Sequence, residues 1–336
     1  MTAAGRHAGA AAVLLGVDVG GTTTAAGLVT PAGEVLDDES RPTHGRGPGT
    51  AIELIADLVE SLRRRARDRG LEVRGVGVGV PAIVDTAAGR IGDEALNVPE
   101  LAGQPLAALL ARRAGLPTWV DNDVNALALA EHFFGRGRGA RSLVVLAPGT
   151  GFGSGIVLDG RLVRGAVGFG GEFGHTPIDF DGPPCWCGGR GCLALYASGR
   201  GVAERARDRV AGHADAPLLR LAGGDPMAIA APLVFEAAAA GDPAAAAVVD
   251  DACRAMGAII GVIVNGLNPE VVVVTGGVAG AYAALEKKVL AAAAEYAFNR
   301  ALAATAVRIV PGDKRLTMRG AAALVLYETA RGGERA

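Results

Sequence analysis

The sequence predicts an α/β protein made of two related lobes, and three observations carry that prediction. The 336 residues suffice for two domains at roughly 150 residues each. Short apolar runs typical of buried strands alternate with longer segments whose apolar residues recur at helical spacing. A hairpin pattern with a glycine turn occurs once in each half of the chain.

Composition excludes several classes of protein. Hydrophobic residues make up 50% of the chain and aromatic residues 4%, which predicts an ordered core built from Ala, Val, Leu and Ile. Lys and Arg number 33 against 35 Asp and Glu, so the charge of −2 gives no basic field for nucleic acid or anionic lipid. No apolar run reaches the roughly 18 residues that a membrane span needs. We expect a cytoplasmic protein whose partner is a small molecule.

The first half begins with two strands, over 14–19 and 25–30, on either side of Gly20-Gly21-Thr22. A glycine turn between two short apolar strands predicts a hairpin. The elements that follow are a helix over 52–67, whose basic run reads as a solvated face, strands over 73–80 and 118–120, and a helix over 124–134.

The second half repeats the opening pattern. A shift of 128 positions aligns Gly21 with Gly149 and Thr22 with Thr150, and the match resumes over 27–29. The elements expected here are strands over 142–146 and 156–158, a helix over 245–267, a strand over 271–275, and helices over 285–297 and 319–329. We expect a small lobe over 1–126, onto which the C-terminal helix at about 319–336 packs, and a larger lobe over 127–318.

Three glycine loops are candidates for binding phosphate. Glycine leaves backbone N–H groups free to point at an anion, and threonine hydroxyls add donors. One such loop is more often a plain turn, whereas three of them, each after a strand, favour a nucleotide. Neither a Walker lysine motif nor a Gly-x-Gly-x-x-Gly sequence opening a helix is present. The candidate residues are Gly20, Gly21, Thr22, Thr23, Thr150, Gly151, Gly276 and Gly277.

Four motifs follow one another at an informative spacing. They are Gly16-Val17-Asp18-Val19-Gly20-Gly21-Thr22, Asn122-Asp123-Val124-Asn125, Gly149-Thr150-Gly151, and Gly171-Glu172-Phe173-Gly174-His175 followed by Cys185, Cys187 and Cys192. Over about 14–327 the chain resembles the ROK family of bacterial sugar kinases and sugar-responsive repressors. The resemblance implies the actin-like ATPase (ribonuclease H-like) fold, a homodimer, and ATP with Mg²⁺ meeting a sugar in a cleft between two lobes.

The resemblance assigns Asp123 as the base that removes the proton from the 6-hydroxyl of the sugar. From the residues alone, Asp123 could equally be the N-cap of the helix that starts at Val124, because Asp is favoured at that position. Asp18 would hold a Mg²⁺-linked water near the β- and γ-phosphates, although an acid at a strand end is also commonly structural. The sugar contacts that the resemblance implies are Asn97, Asn122, Asp123, Glu172 and His175.

Three clustered cysteines and a histidine predict a zinc site. His175, Cys185, Cys187 and Cys192 are spaced as His-x₉-Cys-x-Cys-x₄-Cys. Four nitrogen and sulfur ligands close a tetrahedron, which predicts a structural Zn²⁺ rather than a Lewis acid. Idle thiols or a disulfide are the alternative, but Cys185 and Cys187 are too close in sequence for an unstrained bridge. The resemblance implies that this zinc braces the loop carrying Glu172.

Two positions in the expected sugar site depart from the ROK pattern. Ala194 follows Cys192-Leu193 where members that phosphorylate glucose usually have Glu, and Ala82 follows Pro81 where they usually have Gly. The machinery for transfer is retained while part of the sugar site is altered. We therefore predict an ATP-dependent kinase for the 6-hydroxyl of a glucose-like hexose, a class that includes amino and otherwise modified hexoses.

Two other functions are alternatives. A sugar-responsive regulator would carry a helix-turn-helix before its first glycine loop, and only about 15 residues precede that loop here. A sensor that binds sugar without transferring phosphate is disfavoured by the presence of Asp18, Asp123 and all three glycine loops.

Overall fold

The computed structural model describes residues 10–44, 50–93, 95–213 and 216–334, and these form two compact units. Unit 1 contains the described residues up to Phe134 and from Lys314 onward, and unit 2 is Gly135–Asp313. The boundary therefore falls after Phe134 instead of after residue 126, because the helix that ends at Phe134 lies entirely in unit 1.

Unit 1 is a five-stranded sheet with helices on both faces. The sheet order is β3-β2-β1-β4-β7, in which β1, β4 and β7 are parallel and the β2 and β3 pairings are antiparallel. Its elements are β1 Ala11–Val19, β2 Thr23–Val29, β3 Val35–Pro42, α1 Thr50–Asp68, β4 Leu71–Val80, β5 Val84–Asp85, β6 Arg90–Ile91, α2 Leu106–Ala114, β7 Thr118–Asn122, α3 Asp123–Phe134 and α12 Lys314–Glu334.

Strand β4 contains an alternation of glycine and valine that separates the two faces of this sheet. Successive side chains of a strand point to opposite faces, so Val76, Val78 and Val80 all point to one side and are fully buried. They pack with the apolar stripe of α1 in one core cluster. The glycines of β4 face the opposite side.

On that opposite side, three glycines of neighbouring strands lie at one level, and we call them the glycine row: Gly16, Gly27 and Gly77. A Cβ on Gly16 would lie 2.1 Å from the carbonyl oxygen of Met318, and one on Gly77 would lie 1.8 Å from that of Ala321. The backbone of α12 therefore rests directly on the sheet, a separation that no larger residue permits.

Helix α3 packs against α12 by a second close approach. A Cβ on Gly320 would lie 2.3 Å from the carbonyl oxygen of Ala126. The guanidinium of Arg319 lies over the ring of Phe134, 5.3 Å from its centroid. The last helix of the chain thus holds together the sheet and the helix that begins with Asp123.

Unit 2 repeats the sheet topology of unit 1. The order β10-β9-β8-β11-β12 has the same pattern of two antiparallel and two parallel pairings. Its elements are β8 Leu143–Pro148, β9 Phe152–Leu158, β10 Arg161–Leu162, α4 Ala194–Ala197, α5 Gly199–Val210, α6 Pro217–Leu221, α7 Ala231–Ala239, α8 Pro243–Leu267, β11 Val271–Val274, α9 Ala279–Ala284, α10 Glu286–Tyr296, α11 Asn299–Ala304 and β12 Ala306–Ile309.

Both predicted hairpins are confirmed. Strands β1 and β2 pair from Val19 and Thr24 outward, and β8 and β9 pair from Pro148 and Phe152. The second loop is one residue shorter than the first, so the 128-position repeat aligns the second strands while the first strands are offset by one. The internal repeat in the sequence therefore reports a real repeat of topology.

Strand β3 is an element that the hydrophobic pattern did not predict. Its residues include two aspartates and a glutamate, and it lies at the edge of the sheet where one side needs no apolar partner. Asp37 on this strand accepts a hydrogen bond from Arg65 of α1 at 3.1 Å.

None of the helices in the described part of the chain combines the length and the apolar character that a membrane span requires.

The glycine row gives a stability prediction. Gly77→Ala should lower the free energy of unfolding by about 3 kcal/mol, because the added methyl meets backbone atoms that cannot move without shifting α12. Urea denaturation followed by circular dichroism measures this loss.

Gly332→Ala is the matched control, since this glycine lies in the same helix and no atom lies within 4 Å of its Cβ position. It should leave stability unchanged or raise it by up to about 1 kcal/mol. Equal unfolding midpoints for the two variants would contradict the close packing of α12 on the sheet.

Candidate functional site

The three parallel strands of unit 1 end at one edge of the sheet. The register places Asp18 of β1 opposite Gly79 of β4, and Gly79 opposite Asp121 of β7. The predicted site residues at 18–23 and 122–123 therefore lie at the edge formed by the carboxyl ends of β1 and β7, with β4 between these two strands. In open α/β sheets this edge is where ligands bind.

The first glycine loop is held by Thr43, the residue that directly follows β3. Gly20 N donates to the carbonyl oxygen of Thr23 at 3.0 Å, and Thr43 Oγ1 donates to the carbonyl oxygen of Gly20 at 2.6 Å. Thr43 N donates to the carbonyl oxygen of Thr22 at 2.9 Å. Thr22 and Thr23 are exposed. The loop is thus fixed on its inner side and open to a ligand on its outer side.

Asn97 lies beside this loop. A Cβ on Gly21 would lie 3.4 Å from the Cβ of Asn97, whose side chain is exposed. The Asn97 carbonyl oxygen is 3.3 Å from His44 Nε2, and His44 Nδ1 is 3.5 Å from Glu100 Oε1. The sequence interpretation missed Thr43 and His44 because it missed β3, the strand that they directly follow.

The turn from β7 into α3 separates the roles of Asn122 and Asp123. Asn122 Oδ1 accepts from Val124 N at 2.9 Å and from Asn125 N at 3.2 Å, which is the pattern of an N-cap. Asp123 is the half-buried first residue of α3, and its Oδ1 accepts from Val124 N at 2.8 Å. Asn122 performs the capping that the alternative gave to Asp123, whose catalytic role stays a prediction.

Asp121, which the sequence interpretation did not single out, stabilises this turn through two hydrogen bonds. Its buried Oδ1 accepts from Asn122 N at 2.8 Å and from Asn125 Nδ2 at 2.9 Å. Ala82, one of the departures from the ROK pattern, accepts from Asn122 Nδ2 through its carbonyl oxygen at 3.4 Å. Ala82 therefore adjoins a predicted sugar contact.

Asp18 is half-buried on the face of β1 that packs against α12. Its Oδ2 accepts a hydrogen bond from Thr317 Oγ1 at 2.7 Å. Burial raises the pKa of Asp18, and the hydrogen bond from Thr317 opposes that rise. No signal in the sequence connects Thr317 with Asp18, since the two are far apart along the chain.

Two predicted phosphate loops of unit 2 meet at the carboxyl edge of its own sheet. Gly276 has φ +144°, and a Cβ there would lie 2.7 Å from the carbonyl oxygen of Pro148. The start of α5 joins them, because Gly199 N donates to the carbonyl oxygen of Gly149 at 2.8 Å and Arg200 N donates to that of Thr150 at 3.1 Å. Thr150, Gly151, Gly276 and Gly277 thus lie in one region.

Glu172 lies on a loop that is attached to β9. Phe173 N donates to Ser154 Oγ at 3.1 Å, and a Cβ on Gly174 would lie 2.1 Å from the carbonyl oxygen of Phe152. The residue is exposed, yet partial desolvation of the carboxyl raises the pKa of Glu172, with His175 opposing the rise. Ser154 is a further residue of this site that local sequence patterns do not reveal.

The structure brings together all four predicted metal ligands. One ligand atom each from His175, Cys185, Cys187 and Cys192 lies within 4.8 Å of the others. His175 Nδ1 is 3.6 Å from Cys185 Sγ, and Cys187 Sγ is 3.7 Å from Cys192 Sγ. A tetrahedron with Zn–S bonds of about 2.3 Å has edges of about 3.7 Å. The residues therefore fit a Zn²⁺ ion.

Glycines allow this loop to close around the four ligands. Gly191 has φ +62°, and a Cβ there would lie 1.7 Å from the carbonyl oxygen of Asp179. Trp186 projects from the loop, and the guanidinium of Arg200 lies over its ring, 4.6 Å from the centroid. Ala194, the other departure from the ROK pattern, is 1% exposed at the start of α4.

Sequence comparisons find similarity to a glucokinase and to a xylose repressor. The chain is 37% identical to a glucokinase of Halalkalibacterium halodurans over 288 residues, which cover 85% of this chain and 86% of the relative. It is also 31% identical to a xylose repressor of Caldicellulosiruptor bescii over 264 residues, which cover 78% of this chain but 65% of the repressor.

Solved structures extend the likeness to the fold. A ROK hexokinase from Thermus thermophilus matches with a TM-score of 0.78 and 31% identity, covering 95% of this chain and all of that chain. A ROK family glucokinase from Streptomyces griseus, in complex with glucose and AMPPNP, matches with a TM-score of 0.71 and 32% identity, covering 93% and 98%.

The predicted actin-like ATPase fold is thereby confirmed. The ROK family model matches residues 14–328, which is nearly the whole sequence. With the motifs at the strand ends and the matching topology of both units, this match establishes that the chain belongs to the ROK family.

Proposed function

We propose that this chain is an ATP-dependent hexose kinase that transfers the γ-phosphoryl group to the 6-hydroxyl of a glucose-like hexose. The observation that carries the proposal is the position of Asp123, which begins α3 at the same sheet edge as Asp18 and the first glycine loop. The similarity to glucokinases over most of the chain supports it.

Asp123 acts as the general base in this proposal. As the sugar hydroxyl attacks the γ-phosphorus, its proton passes to the carboxylate of Asp123 and ADP leaves with the broken bond's electrons. A base placed in this way contributes about 10²- to 10⁴-fold in rate. Because Asn122 caps α3, the carboxylate of Asp123 is not required to hold the helix end.

The proposed sugar contacts come from amide, carboxylate and imidazole groups, which can pair with hydroxyls as donors or acceptors. His175 can bind a metal through one ring nitrogen and a sugar hydroxyl through the other. Nδ1 faces the cysteine cluster, so metal binding there leaves Nε2 protonated as a hydrogen-bond donor. The contacts in this set are Asn97, Asn122, Asp123, Glu172 and His175.

The nucleotide in this proposal binds the glycine loops through backbone N–H groups and threonine hydroxyls. Asp18 would hold Mg²⁺ through water, and Mg²⁺ supplies charge neutralisation at the phosphates when bound. The residues assigned to ATP are Asp18, Gly20, Gly21, Thr22, Thr23, Thr150, Gly151, Gly276 and Gly277.

Zn²⁺ is proposed as a structural ion held by His175, Cys185, Cys187 and Cys192. All four positions are filled by protein ligands, so the ion supplies rigidity to a loop that contains little regular secondary structure.

The proposed location is the cytoplasm, because thiols that bind a metal must stay reduced. The homodimer implied by the family is retained as part of the proposal.

A sugar-binding regulator or sensor without kinase activity is the second candidate function. The similarity to a xylose repressor favours it. The two candidates differ in one measurable property, which is release of ADP in the presence of sugar.

The substrate screen is the first test. Purified protein with Mg²⁺ and ATP should release ADP with glucose or with a modified hexose among mannose, amino hexoses and N-acetylated hexosamines. The matching 6-deoxy sugar should give no release above background, because it lacks the accepting hydroxyl. Absence of ADP release with every sugar would favour the regulator or sensor.

Asp123→Asn tests the base. The amide cannot accept the proton, so kcat should fall by about 10²- to 10⁴-fold, while the Kd values for sugar and AMPPNP stay within about threefold. Asp68→Asn, at the exposed end of α1, is the control and should retain full turnover. Near-normal kcat in Asp123→Asn would remove the base assignment.

Cys187→Ser tests the zinc site. Cys187 is exposed, so its replacement removes a metal ligand with little loss of packing. Elemental analysis should find about one Zn²⁺ per chain in the wild type and less than half of that in the variant. Cys253→Ala, at a buried cysteine of α8 outside the cluster, should keep its zinc. A wild type purified without zinc, or a variant with full zinc content, would contradict the assignment.

A further inference from the structure

The hydroxyl of Thr317 is the side-chain group that holds Asp18. Thr317 lies near the start of α12, and Oγ1 donates to Asp18 Oδ2 at 2.7 Å across 299 positions of sequence. Neither the ROK motifs nor the glycine loops include Thr317, so its contact with Asp18 is a feature of the packed structure.

Packing of α12 fixes where this hydroxyl lies. Asp18 is two residues beyond Gly16 on β1, so both face α12. Met318, the neighbour of Thr317, lies so close to the glycine row that a Cβ on Gly27 would be 2.1 Å from its sulfur. The helix cannot slide along the sheet without a clash, and the position of Thr317 is therefore set by the packing of α12 on the glycine row.

A hydrogen bond to one carboxylate oxygen fixes the orientation of the other. With Oδ2 engaged by Thr317, Oδ1 is the oxygen that can accept from a water on the nucleotide's metal ion. Functional groups must be held within about 0.5 Å of their working position, and neighbouring hydrogen bonds provide that precision. Valine fills nearly the same volume as threonine but cannot donate.

We propose that Thr317 is a positioning residue for the phosphoryl transfer, and that its hydroxyl orients Asp18 toward Mg²⁺-bound ATP. The inference rests on the proposed kinase function, because it gives Asp18 the role described above. A residue that merely joined α12 to the sheet would affect stability without a specific effect on the metal-nucleotide complex.

The test compares Thr317→Val with Thr317→Ser. In Thr317→Val, the Mg²⁺ concentration for half-maximal rate and the Kd for AMPPNP with Mg²⁺ should both rise about tenfold, as expected for losing a hydrogen bond to a charged group. The Kd for AMPPNP without Mg²⁺ and the KM for sugar should stay within about twofold. Thr317→Ser keeps the hydroxyl and should stay within about threefold of wild type throughout.

Thr118→Val is the matched control. It removes a hydroxyl that donates to the carbonyl oxygen of Leu116 at the opposite end of β7, and it should leave all four quantities unchanged. Calorimetric titration of AMPPNP with and without Mg²⁺ provides a readout that needs no turnover. If Thr317→Val fails to fold by circular dichroism, Thr317→Ala replaces it in the same comparison.

Three results would overturn the inference: Mg²⁺ dependence in the hydroxyl-free variant equal to wild type, equal defects in that variant and Thr317→Ser, or equal losses with and without Mg²⁺. A wild type that releases no ADP would instead overturn the proposed function. Calorimetry would still test the inference in that case, since Mg²⁺-dependent binding of AMPPNP is measured without a reaction.

Discussion

The contact between the backbone of α12 and the glycine row is the constraint on which unit 1 depends. Glycines of three adjacent strands lie at one level, and each would collide with α12 if it carried a Cβ. A helix at this distance buries the sheet face without large side chains, which suits a chain with 4% aromatic residues. The same helix contacts α3 through Gly320 and Asp18 through Thr317. Fold and site therefore share one packing contact.

The two units use the same topology to present different chemistry. In each, three parallel strands end at one edge and a hairpin loop rich in glycine follows the first of them. Unit 1 adds acids at this edge, Asp18 and Asp123, whereas unit 2 adds the loop with Glu172 and the four proposed zinc ligands. That loop has little regular secondary structure, and the hydrogen bond from Phe173 N to Ser154 Oγ attaches it to β9.

Sequence patterns predicted the elements whose residues are periodic and apolar. The valines of β4, the stripe of α1 and the long α8 each repeat at the spacing of their structure, so local sequence was sufficient. Strand β3 was missed because an edge strand with one solvated side needs no apolar alternation. Thr43 and His44 were missed with it. The alternation of glycine with valine in β4 is visible in the sequence. That the glycines allow the backbone of α12 to contact the sheet could be recognised only once the position of α12 was known.

By itself, the sequence determined the family to which the chain belongs, and it supplied the candidate residues of the proposed site. The glycine loops, Asn122-Asp123 and the proposed zinc ligands are short motifs, and the spacing within each motif is a local property of the chain. Only the tertiary structure decided that Asn122 rather than Asp123 caps α3, that Ser154 fixes the Glu172 loop, and that Thr317 contacts Asp18. These contacts join residues through the packing of whole elements or the geometry of a turn. Residue type and spacing leave the choice between two possible caps open, and they do not indicate contacts between distant residues, which depend on how the helices and sheets pack.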